Sequence, residues 1–351
     1  MSEPVAVLQA GAWGTTLATI LARDGGKRVT LWTRDEAQAR DMEARRENRP
    51  YLPGIRIPDS VEVTSDLGRA LEADDLIVTV PTHGVHAFRD RAAPLLRPMH
   101  RILSGSKGLD PQSGRRMSEL WADAVPAERI AVLSGPNISR EIANGQPAPT
   151  VIASEDPTTA RHFQELVGTP FFRAYTNDDV IGVELCGALK NVIALGAGAI
   201  DGIGYGDNAK AGFVTRGLAE IARFAFAQGG DPLTAAGLAG FGDLIATCSS
   251  KHSRNRRVGE LLATGQLLSQ IREQLHGQVA EGIGTTEATV AASRRLGVEM
   301  PIAAQTYAVL FEDKPIRAAM RDLMDREQRE EISGPLAEVS RLVRGLRVGR
   351  G

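Results

Sequence analysis

A lysine stands inside a long apolar stretch of the chain, where its charge is hard to solvate. Lys190 lies in the run 180–199, VIGVELCGALKNVIALGAGA, whose pattern is helical. Burial and a neighbouring positive charge both lower the pKa of a lysine from about 10.4 towards neutrality, where it can exchange protons. Lys107 could supply that charge, and Asp243 could orient the ammonium group. A lysine that reaches solvent from an amphipathic helix would show the same pattern.

A second cluster, Ser253-Arg254-Asn255-Arg256, offers hydroxyl, guanidinium and amide donors close to a predicted helix start. Such a set can bind a phosphate group. The surrounding run 251–257 holds four basic residues, which would also suit a solvated loop or a nucleic-acid surface. It lacks interleaved aromatic residues, and the chain has a formal net charge of −2. Both facts argue against nucleic acid, so we expect a pocket for a small phosphorylated molecule.

A glycine-containing turn follows the first predicted strand, at Gln9-Ala10-Gly11-Ala12-Trp13-Gly14. Dinucleotide-binding turns follow the pattern G-x-G-x-x-G between a strand and a helix. Gly11 would let the backbone approach a pyrophosphate, and Gly14 would let the helix pack on the strand. Gln9 replaces the first glycine, so a plain tight turn into a helix remains an alternative. The βαβ pattern that follows favours a nucleotide site.

Arg34 stands about twenty residues beyond Gly14, where sites that prefer NAD often carry an acidic residue. The planar fork of an arginine binds a phosphate with two hydrogen bonds, which suits the 2′-phosphate of NADP(H). Asp35 could still bind a ribose 2′-hydroxyl. We therefore expect NADP(H) or NAD(H) as the cofactor, with NADP(H) favoured.

Short apolar runs alternate with helical patterns in the first half of the chain, which predicts a parallel sheet with helices on both faces. Strands are expected at 5–8, 29–32, 76–80, 102–104, 130–133, 150–153 and 171–175. Helices are expected at 15–23, 84–95, 115–124 and 157–167.

The character of the sequence changes after Asn177, beyond which the patterns are helical. Helices are expected at 180–199, 208–228, 231–248, 257–262, 268–275, 285–296, 302–310 and 335–343. We therefore predict an α/β nucleotide-binding domain at 1–178, followed by an all-α substrate domain at 179–347.

Composition limits the remaining classes of protein. Two cysteines in different contexts, Cys186 and Cys248, do not suggest a disulfide framework, and the six histidines show no metal-ligand spacing. We expect no metal and a cytoplasmic location. Charged residues interrupt the apolar stretch 180–204, which predicts a buried helix rather than a membrane span. The first residues lack the basic and apolar regions of a secretory leader.

Nine segments in order resemble the NAD(P)-dependent sn-glycerol-3-phosphate dehydrogenases of the bacterial type, over about residues 5 to 345. Those around Lys190 and Ser253 are the most specific. The segments are AGAWGTTLA (10–18), NRPYLPG (48–54), SKG (106–108), SGPN (134–137), GVELCGALKNV (182–192), GDNAKAGFVTRGLAE (206–220), GLAGFGDLIATC (237–248), SRNR (253–256) and VAEG (279–282).

The resemblance implies a Rossmann-like dinucleotide-binding domain and an enzyme that interconverts sn-glycerol 3-phosphate and dihydroxyacetone phosphate. In that family the reaction supplies glycerol phosphate for glycerophospholipid synthesis, and a homodimer is implied. Lys190 matches the proton-transferring lysine. The implied substrate contacts are Lys107, Gly135, Asn137, Lys190, Asp243, Ser253, Arg254 and Asn255. The implied cofactor contacts are Gly11, Ala12, Trp13, Gly14, Arg34, Tyr51, Lys107, Ser139, Arg254, Val279 and Glu281.

Two departures from the family pattern lie in the cofactor turn, where Gln9 replaces a glycine and Ala12 stands where serine is frequent. The segment after Glu281 also lacks an expected arginine. Two alternatives remain at this point. A ketopantoate-type reductase would bind a carboxylate and would not need the SRNR segment, and a cofactor-binding protein without catalysis would not need Lys190, Asp243 and Arg254.

Overall fold

The computed structural model describes residues 4–275, 279–328, 330–331, 337 and 341. In this part of the chain, the first half builds an eight-stranded sheet with the order β3-β2-β1-β4-β5-β6-β7-β8. The strands are β1 (Val5–Leu8), β2 (Val29–Trp32), β3 (Val61–Thr64), β4 (Asp75–Val78), β5 (Arg101–Ser104), β6 (Ile130–Ser134), β7 (Ala148–Ala153) and β8 (Phe172–Asn177).

Helices cover both faces of this sheet because successive side chains of a strand point to opposite sides. Val5 and Val7 of β1 pack in one apolar cluster, while Ala6 and Leu8 pack in another on the opposite face. The helices are α1 (Ala12–Arg23), α2 (Glu36–Arg45), α3 (Leu67–Ala70), α4 (Thr82–Ala92), α5 (Met117–Trp121), α6 (Ser139–Ala143) and α7 (Pro157–Val167).

The second half is helical throughout the described residues. Short 3₁₀ and π segments, Pro232–Ala236 and Leu238–Gly242, precede the third of its helices. The helices are α8 (Val180–Gly202), α9 (Asp207–Ala227), α10 (Asp243–Ser249), α11 (Arg254–Ala263), α12 (Leu268–Gln274), α13 (Glu281–Leu296), α14 (Pro301–Phe311) and α15 (Ile316–Met324).

Helix α8 forms the centre of the helical half and also packs on β6. Among the described helices it is the one long and apolar enough to cross a membrane, but 83% of its most apolar window is buried inside the protein. It is therefore a core helix, in agreement with the sequence. Asn177 ends β8, and Asp179 caps α8 by accepting from Gly182 N at 2.8 Å.

Five elements were not predicted: β3, α2, α3, α6 and α15. Strand β3 and helix α2 carry little apolar periodicity, α3 and α6 are only four and five residues long, and the amphipathic pattern of α15 was missed. Strand β3 (VEVT) lies at the sheet edge with one buried residue, Val61. Helix α2 buries only Ala39 and Met42, and α15 buries only Ala319. The helix expected at 335–343 lies outside the described residues, apart from 337 and 341.

Two predicted features were wrong in detail. The sheet is not wholly parallel, since β7 runs antiparallel to β6 and returns beside it after the short helix α6. The single helix expected at 231–248 is broken at Gly237, whose extended backbone (φ −88°, ψ −164°) ends the 3₁₀ segment. A π-helical turn, Leu238–Gly242, then leads into α10.

Candidate active site

Three charged side chains meet where α8 crosses the C-terminal edge of the sheet. Lys190 Nζ donates to Asp243 Oδ1 at 2.5 Å, and Lys107 Nζ donates to Oδ2 of the same carboxylate at 2.9 Å. Lys107 follows β5, and Asp243 begins α10. Asp243 is fully buried and Lys190 is 7% exposed, so Lys190 does not extend into solvent. The structure brings together the three residues that the sequence singled out for proton transfer.

Lys107 has further partners in the loop after β6. Its Nζ donates to the backbone oxygen of Gly135 at 2.9 Å and to Asn137 Oδ1 at 3.4 Å. Gly135 has φ 141°, and an added Cβ would lie 3.1 Å from Thr150 Cα. A side chain there would be strained and crowded. Burial lowers the pKa of Lys107 to about 8; the charge of Lys190 contributes, while that of Asp243 opposes the shift.

Thr247 completes the cluster and was not predicted. Its Oγ1 accepts from Lys190 Nζ at 2.8 Å and lies 3.3 Å from Asp243 Oδ1. Asp243 and Thr247 stand four residues apart on α10 and therefore share one face of the helix. That spacing was visible in the sequence, but only the contact with α8 shows that the face meets Lys190.

The start of α11 holds the predicted phosphate donors. Ser253 caps the helix, since its Oγ accepts from Arg256 N at 3.2 Å. Arg254 is the first helical residue, and its guanidinium makes no hydrogen bond or ion pair within the described residues. Burial lowers its pKa, and the nearby carboxylate of Glu281 opposes that effect. An arginine without a partner at a helix N-terminus can bind an anion.

The side-chain amide of Asn255 is engaged within the protein. Its Nδ2 donates to Asn191 Oδ1 at 2.9 Å, and its Oδ1 accepts from Gly282 N at 3.0 Å. Asn191, which was not predicted, also donates to the backbone oxygen of Lys107 at 3.4 Å. These bonds connect the starts of α11 and α13 to the loop that carries Lys107. Arg254 and the backbone N–H groups of the first turn are therefore the donors best placed for a phosphate.

Glu281 joins the helical half to the sheet half. Its carboxylate accepts from Thr82 N at 3.3 Å and forms a second, shorter hydrogen bond with Thr82 Oγ1. Burial raises the pKa of Glu281, while these bonds and the charges of His83 and Arg254 oppose that shift. The carboxylate predicted to contact the cofactor thus lies on the N-terminus of α4.

The turn between β1 and α1 has the close approach expected of a dinucleotide site. An added Cβ on Gly14 would lie 2.1 Å from the Gln9 oxygen and 2.6 Å from Thr79 Oγ1. Gly11 precedes α1 without a side-chain cap, which leaves the first N–H groups of the helix for a ligand. Gln9 has φ 93°, a conformation that disfavours side chains.

Arg34 and Asp35 have separate roles after β2. Asp35 caps α2, since its Oδ1 accepts from Ala37 N at 2.8 Å and Gln38 N at 3.2 Å. Arg34 is exposed and has no hydrogen bond or ion pair to the described part of the chain. The arginine is therefore the freer of the two groups to meet a ligand.

Ala12 and Trp13 are the first two residues of α1. The Trp13 ring packs edge-on against Phe172 with centroids 6.2 Å apart. Its indole Nε1 is buried and has no hydrogen-bond partner among the described residues.

Of the other predicted cofactor residues, Ser139 and Tyr51 are connected to α1 and the turn before it. The backbone oxygen of Ser139 accepts from Thr16 Oγ1 at 3.2 Å. Tyr51 N donates to Asn48 O at 3.2 Å, and Asn48 Nδ2 donates to the Ala10 oxygen behind the turn. Val279 is half-buried just before α13.

The N-termini of α11, α13, α4 and α1 lie in the cleft between the helical half and the sheet half of the molecule. Asn255 connects the starts of α11 and α13, Glu281 connects α13 to α4, and Thr79 at the end of β4 donates to Gln9 O beside α1 at 2.9 Å. The start of α4 is already occupied by the Glu281 carboxylate. The uncapped start of α1 and Arg254 at the start of α11 are therefore the groups left to bind phosphates.

Other candidate residues are accounted for by the fold. Lys210 pairs with Asp201 at 2.8 Å and does not join the lysine pair. Cys186 and Cys248 are free and buried, and burial raises the pKa of each thiol to about 12. Within the described ranges, no group of three or more His, Cys, Asp or Glu side chains could hold a metal ion.

Comparisons with known proteins agree with this architecture. The family model described as NAD-dependent glycerol-3-phosphate dehydrogenase N-terminus matches residues 4–160, and that described as its C-terminus matches 179–321. Glycerol-3-phosphate dehydrogenase [NAD(P)+] of Chlorobium limicola is 46% identical over 332 residues, covering 93% of this chain and 99% of the relative.

Solved structures show the same relation. Glycerol-3-phosphate dehydrogenase of Coxiella burnetii has a TM-score of 0.88 at 37% identity and covers 93% of this chain and 99% of its own. A ketopantoate reductase of Ralstonia eutropha has a TM-score of 0.58 at 17% identity, covering 92% and 99%, and shares the fold alone. The resemblance and the fold class predicted from the sequence are confirmed, and the chain belongs to the NAD-dependent glycerol-3-phosphate dehydrogenase family.

Proposed function

We propose that this protein interconverts sn-glycerol 3-phosphate and dihydroxyacetone phosphate with NAD(P)(H), and so supplies glycerol phosphate for glycerophospholipid synthesis. The observation that carries this proposal is the buried pair Lys190 and Lys107 on the single carboxylate of Asp243. Arg254 lies on the same cleft without a partner in the described chain. The proposal assigns proton transfer to the lysine pair and phosphate binding to Arg254.

Lys190 Nζ holds the proton that the substrate oxygen takes up during reduction and returns during oxidation. Asp243 and Thr247 fix the position of Nζ by accepting from it at 2.5 Å and 2.8 Å. Two ammonium groups share one carboxylate, so the cluster keeps a net positive charge. That charge stabilises the negative charge that develops on the substrate oxygen in a place shielded from water. Lys107 contributes to it from the other side of Asp243.

Arg254 and the first-turn N–H groups of α11 bind the substrate phosphate. A guanidinium forms two parallel hydrogen bonds with a phosphate, and the helix dipole favours the same charge. Ser253 keeps the helix start in place, and Asn255 connects it to α13. Gly135 and Asn137 bound the site through their contacts with Lys107.

The residues of the turn fit a dinucleotide cofactor. Gly11 leaves space for a pyrophosphate at the uncapped start of α1, Gly14 lets this helix pack closely on the Gln9 backbone, and Ala12 and Trp13 lie in its first turn. When bound, the nicotinamide supplies or accepts the hydride. We assign the remaining contacts to the residues that surround this space, which are Arg34, Tyr51, Lys107, Ser139, Arg254, Val279 and Glu281. Arg34 favours NADP(H), since Asp35 is engaged as a helix cap.

We further propose a cytoplasmic homodimer whose protomers divide into domains 1–178 and 179–347. The dimer follows from the family resemblance, and a solution mass near twice 37.5 kDa would support it. A mass of one protomer at working concentrations would contradict it.

The decisive assay measures oxidation of NADPH or NADH by dihydroxyacetone phosphate, with 2-ketopantoate as the competing substrate. Replacing Lys190 with Ala should lower turnover by roughly 100- to 10,000-fold, the usual effect of a general acid–base group. Cofactor affinity should change little. Lys314→Ala serves as the control, because that lysine forms an ion pair with Asp322 away from the cleft. Near-normal turnover in folded Lys190→Ala would contradict the proposal.

A further inference from the structure

Helix α8 also carries a buried carboxylate, Glu184, to which no role has been assigned so far. Glu184 accepts from Arg116 Nη1 at 2.8 Å and from Ser118 N at 2.8 Å, and it forms a shorter bond with Ser118 Oγ. The side chains of Glu184 and Arg116 are 8% and 13% exposed. Three hydrogen bonds in a buried position, one of them between opposite charges, hold the two halves of the molecule together at this point.

Arg116 ends the loop that Lys107 begins. Leu109 forms a β-bridge with Arg116, and Asp110 N donates to Arg115 O at 2.9 Å. The loop is therefore closed on itself, and its closed end lies two residues after Lys107. Whatever fixes Arg116 also fixes the backbone from which Lys107 extends.

Helix α8 carries Glu184 and Lys190 six residues apart, about 9 Å along the axis. Between them, Gly187 lets the helix approach β6, since an added Cβ would lie 2.4 Å from Ser134 Oγ. Asn191 then contacts the backbone oxygen of Lys107 at 3.4 Å. The helix is thus held on the sheet half at three successive points, and Glu184 supplies the charged one.

We propose that Glu184 is a positioning residue for the reaction: through Arg116 it fixes the loop that carries Lys107 against the helix that carries Lys190. The inference rests on the proposed roles of those two lysines. It assigns a function to an ion pair that touches neither substrate nor cofactor. A misplacement of reacting groups by about 1 Å can lower a rate by roughly a hundredfold.

The pH dependence of turnover reports on this arrangement. The charged groups that face Lys107 are Asp243 of α10 and Lys190 of α8, and burial is the main cause of its lowered pKa. If the loop loosens, Lys107 becomes better solvated and lies farther from Lys190. Both changes raise its pKa, while a weaker contact with Asp243 lowers it. Because burial is the largest of these causes and their sum lowers the pKa to about 8, weakening them together moves the pKa back up, and the fall in turnover on the alkaline side should move to higher pH.

The test compares Glu184→Gln with Glu220→Gln in the full-length protein. Glu220 is also buried and caps another helix, accepting from Ile302 N at 2.7 Å, but it lies outside the lysine cluster. Glu184→Gln should lower kcat for dihydroxyacetone phosphate about 10- to 100-fold and move the alkaline fall in turnover to higher pH. The KM for NADPH should stay within about twofold. Glu220→Gln should leave both kcat and the pH of the alkaline fall in turnover unchanged.

Variants of Arg116, the partner of Glu184, distinguish a positioning role from a general effect on the stability of the protein. Arg116→Lys keeps a cation for Glu184 and should retain more activity than Arg116→Gln. The double variant Glu184→Gln/Arg116→Gln should be no worse than the poorer single variant, because both break one interaction. Two results would overturn the proposal. One is a loss of kcat in Glu184→Gln with no change in the pH of the alkaline fall in turnover, together with no more activity in Arg116→Lys than in Arg116→Gln. The other is wild-type kcat in Glu184→Gln. Activity in Lys190→Ala would instead contradict the proposed function.

Discussion

Gln9 holds a backbone conformation that disfavours its own side chain. Its φ of 93° lies in the region that glycine adopts freely, and a non-glycine residue there is destabilised by about 1–2 kcal/mol. The sequence suggested this outcome, because the position is a glycine in dinucleotide-binding turns. The Gln9 oxygen also accepts from Gly11 N at 3.0 Å, so the turn is tight at the place where a pyrophosphate would lie.

Gln9→Gly should therefore tighten NADPH binding several-fold and leave the KM for dihydroxyacetone phosphate nearly unchanged. The variant removes a Cβ beside the cofactor space, and about 1.4 kcal/mol corresponds to one decade of affinity. Relief of the backbone strain stabilises the free and the bound protein alike, so it does not by itself change affinity. Fluorescence titration with NADPH measures the effect. Asp313→Gly is a matched control, since Asp313 has φ 52° far from the turn and should gain stability without gaining affinity. Equal or weaker binding in Gln9→Gly would mean that Gln9 provides a useful contact.

Arg34 should determine the choice between the two nicotinamide cofactors. Arg34→Ala should weaken NADPH more than NADH, because only NADPH carries the 2′-phosphate that a guanidinium binds. Dissociation constants for both cofactors give the ratio directly. Arg40→Ala provides the control, since Arg40 is an exposed arginine of α2 that pairs with Glu36. An equal loss for both cofactors would show that Arg34 does not bind the phosphate.

Arg254 should act on the phosphate of the substrate. Arg254→Lys should raise the KM for dihydroxyacetone phosphate about tenfold or more, because a single ammonium cannot form the two parallel bonds of a guanidinium. Unphosphorylated dihydroxyacetone should be barely affected. Arg257→Lys, an exposed position on the same helix, is the control. If both substrates suffer equally, Arg254 supports the fold instead.

Some of the site residues can be recognised from the local sequence, and others cannot. Lys190 and Arg254 stand out because a charge in an apolar run, or a dense set of donors, is unusual within a single segment, whereas Asp243 was assigned through the family resemblance. Thr247, Asn191 and Glu184 do not stand out, since their partners lie 57, 84 and 68 residues away. Contacts between distant segments depend on packing, which local spacing does not reveal.

At the scale of elements, buried strands and helices were the predictable ones. Strands β1 and β2 match the predicted bounds, since their residues are almost entirely buried and read as apolar runs. Helix α7 is amphipathic and begins with Pro157 after the Asp156 cap, which are strong start signals. By contrast, β3 and α2 face solvent and offer little hydrophobic periodicity, so propensity alone could not place them.

Helix α14 depends on a buried acid at its start. Glu220 of α9 accepts from Ile302 N at 2.7 Å and Ala303 N at 3.3 Å, and burial raises its pKa to about 7. The charges of Arg223 and Arg326 oppose that shift. Between pH 4.5 and about 7 the folded protein therefore keeps a proton that the unfolded chain has released, and stability falls as pH rises through this interval.

Glu220→Gln should remove this pH dependence. The wild type should lose on the order of 2–3 kcal/mol between pH 4.5 and 7.5 relative to the variant, with little further relative change at higher pH. Urea unfolding monitored by circular dichroism at a series of pH values measures the difference. Exposed Glu62→Gln, which removes a surface pair with Arg69, should leave the slope unchanged. Parallel slopes in the wild type and Glu220→Gln would show that Glu220 is ionised throughout.

At the scale of the whole molecule, the cleft is defined by contacts between the two halves. Three sets of hydrogen bonds join the helical half to the sheet half. They are formed by Glu281 with Thr82, by Asn191 with Lys107, and by Glu184 with Arg116 and Ser118. The sequence predicted both halves and their order, because hydrophobic periodicity changes after Asn177. It could not predict how they meet, since polar residues at the contact resemble polar residues of any surface.

The position of β1 in the sheet has a consequence for how the chain is made. Val5 pairs with Val29 on one side and Asp75 on the other, so the first strand lies in the interior of the sheet. On a ribosome that adds about 5–20 residues per second, roughly two to nine seconds separate synthesis of Trp32 from that of Val78. Throughout this interval the nascent β1 has an unpaired edge. An apolar strand with an open edge can pair with other chains, so the nascent protein is exposed to aggregation during this interval.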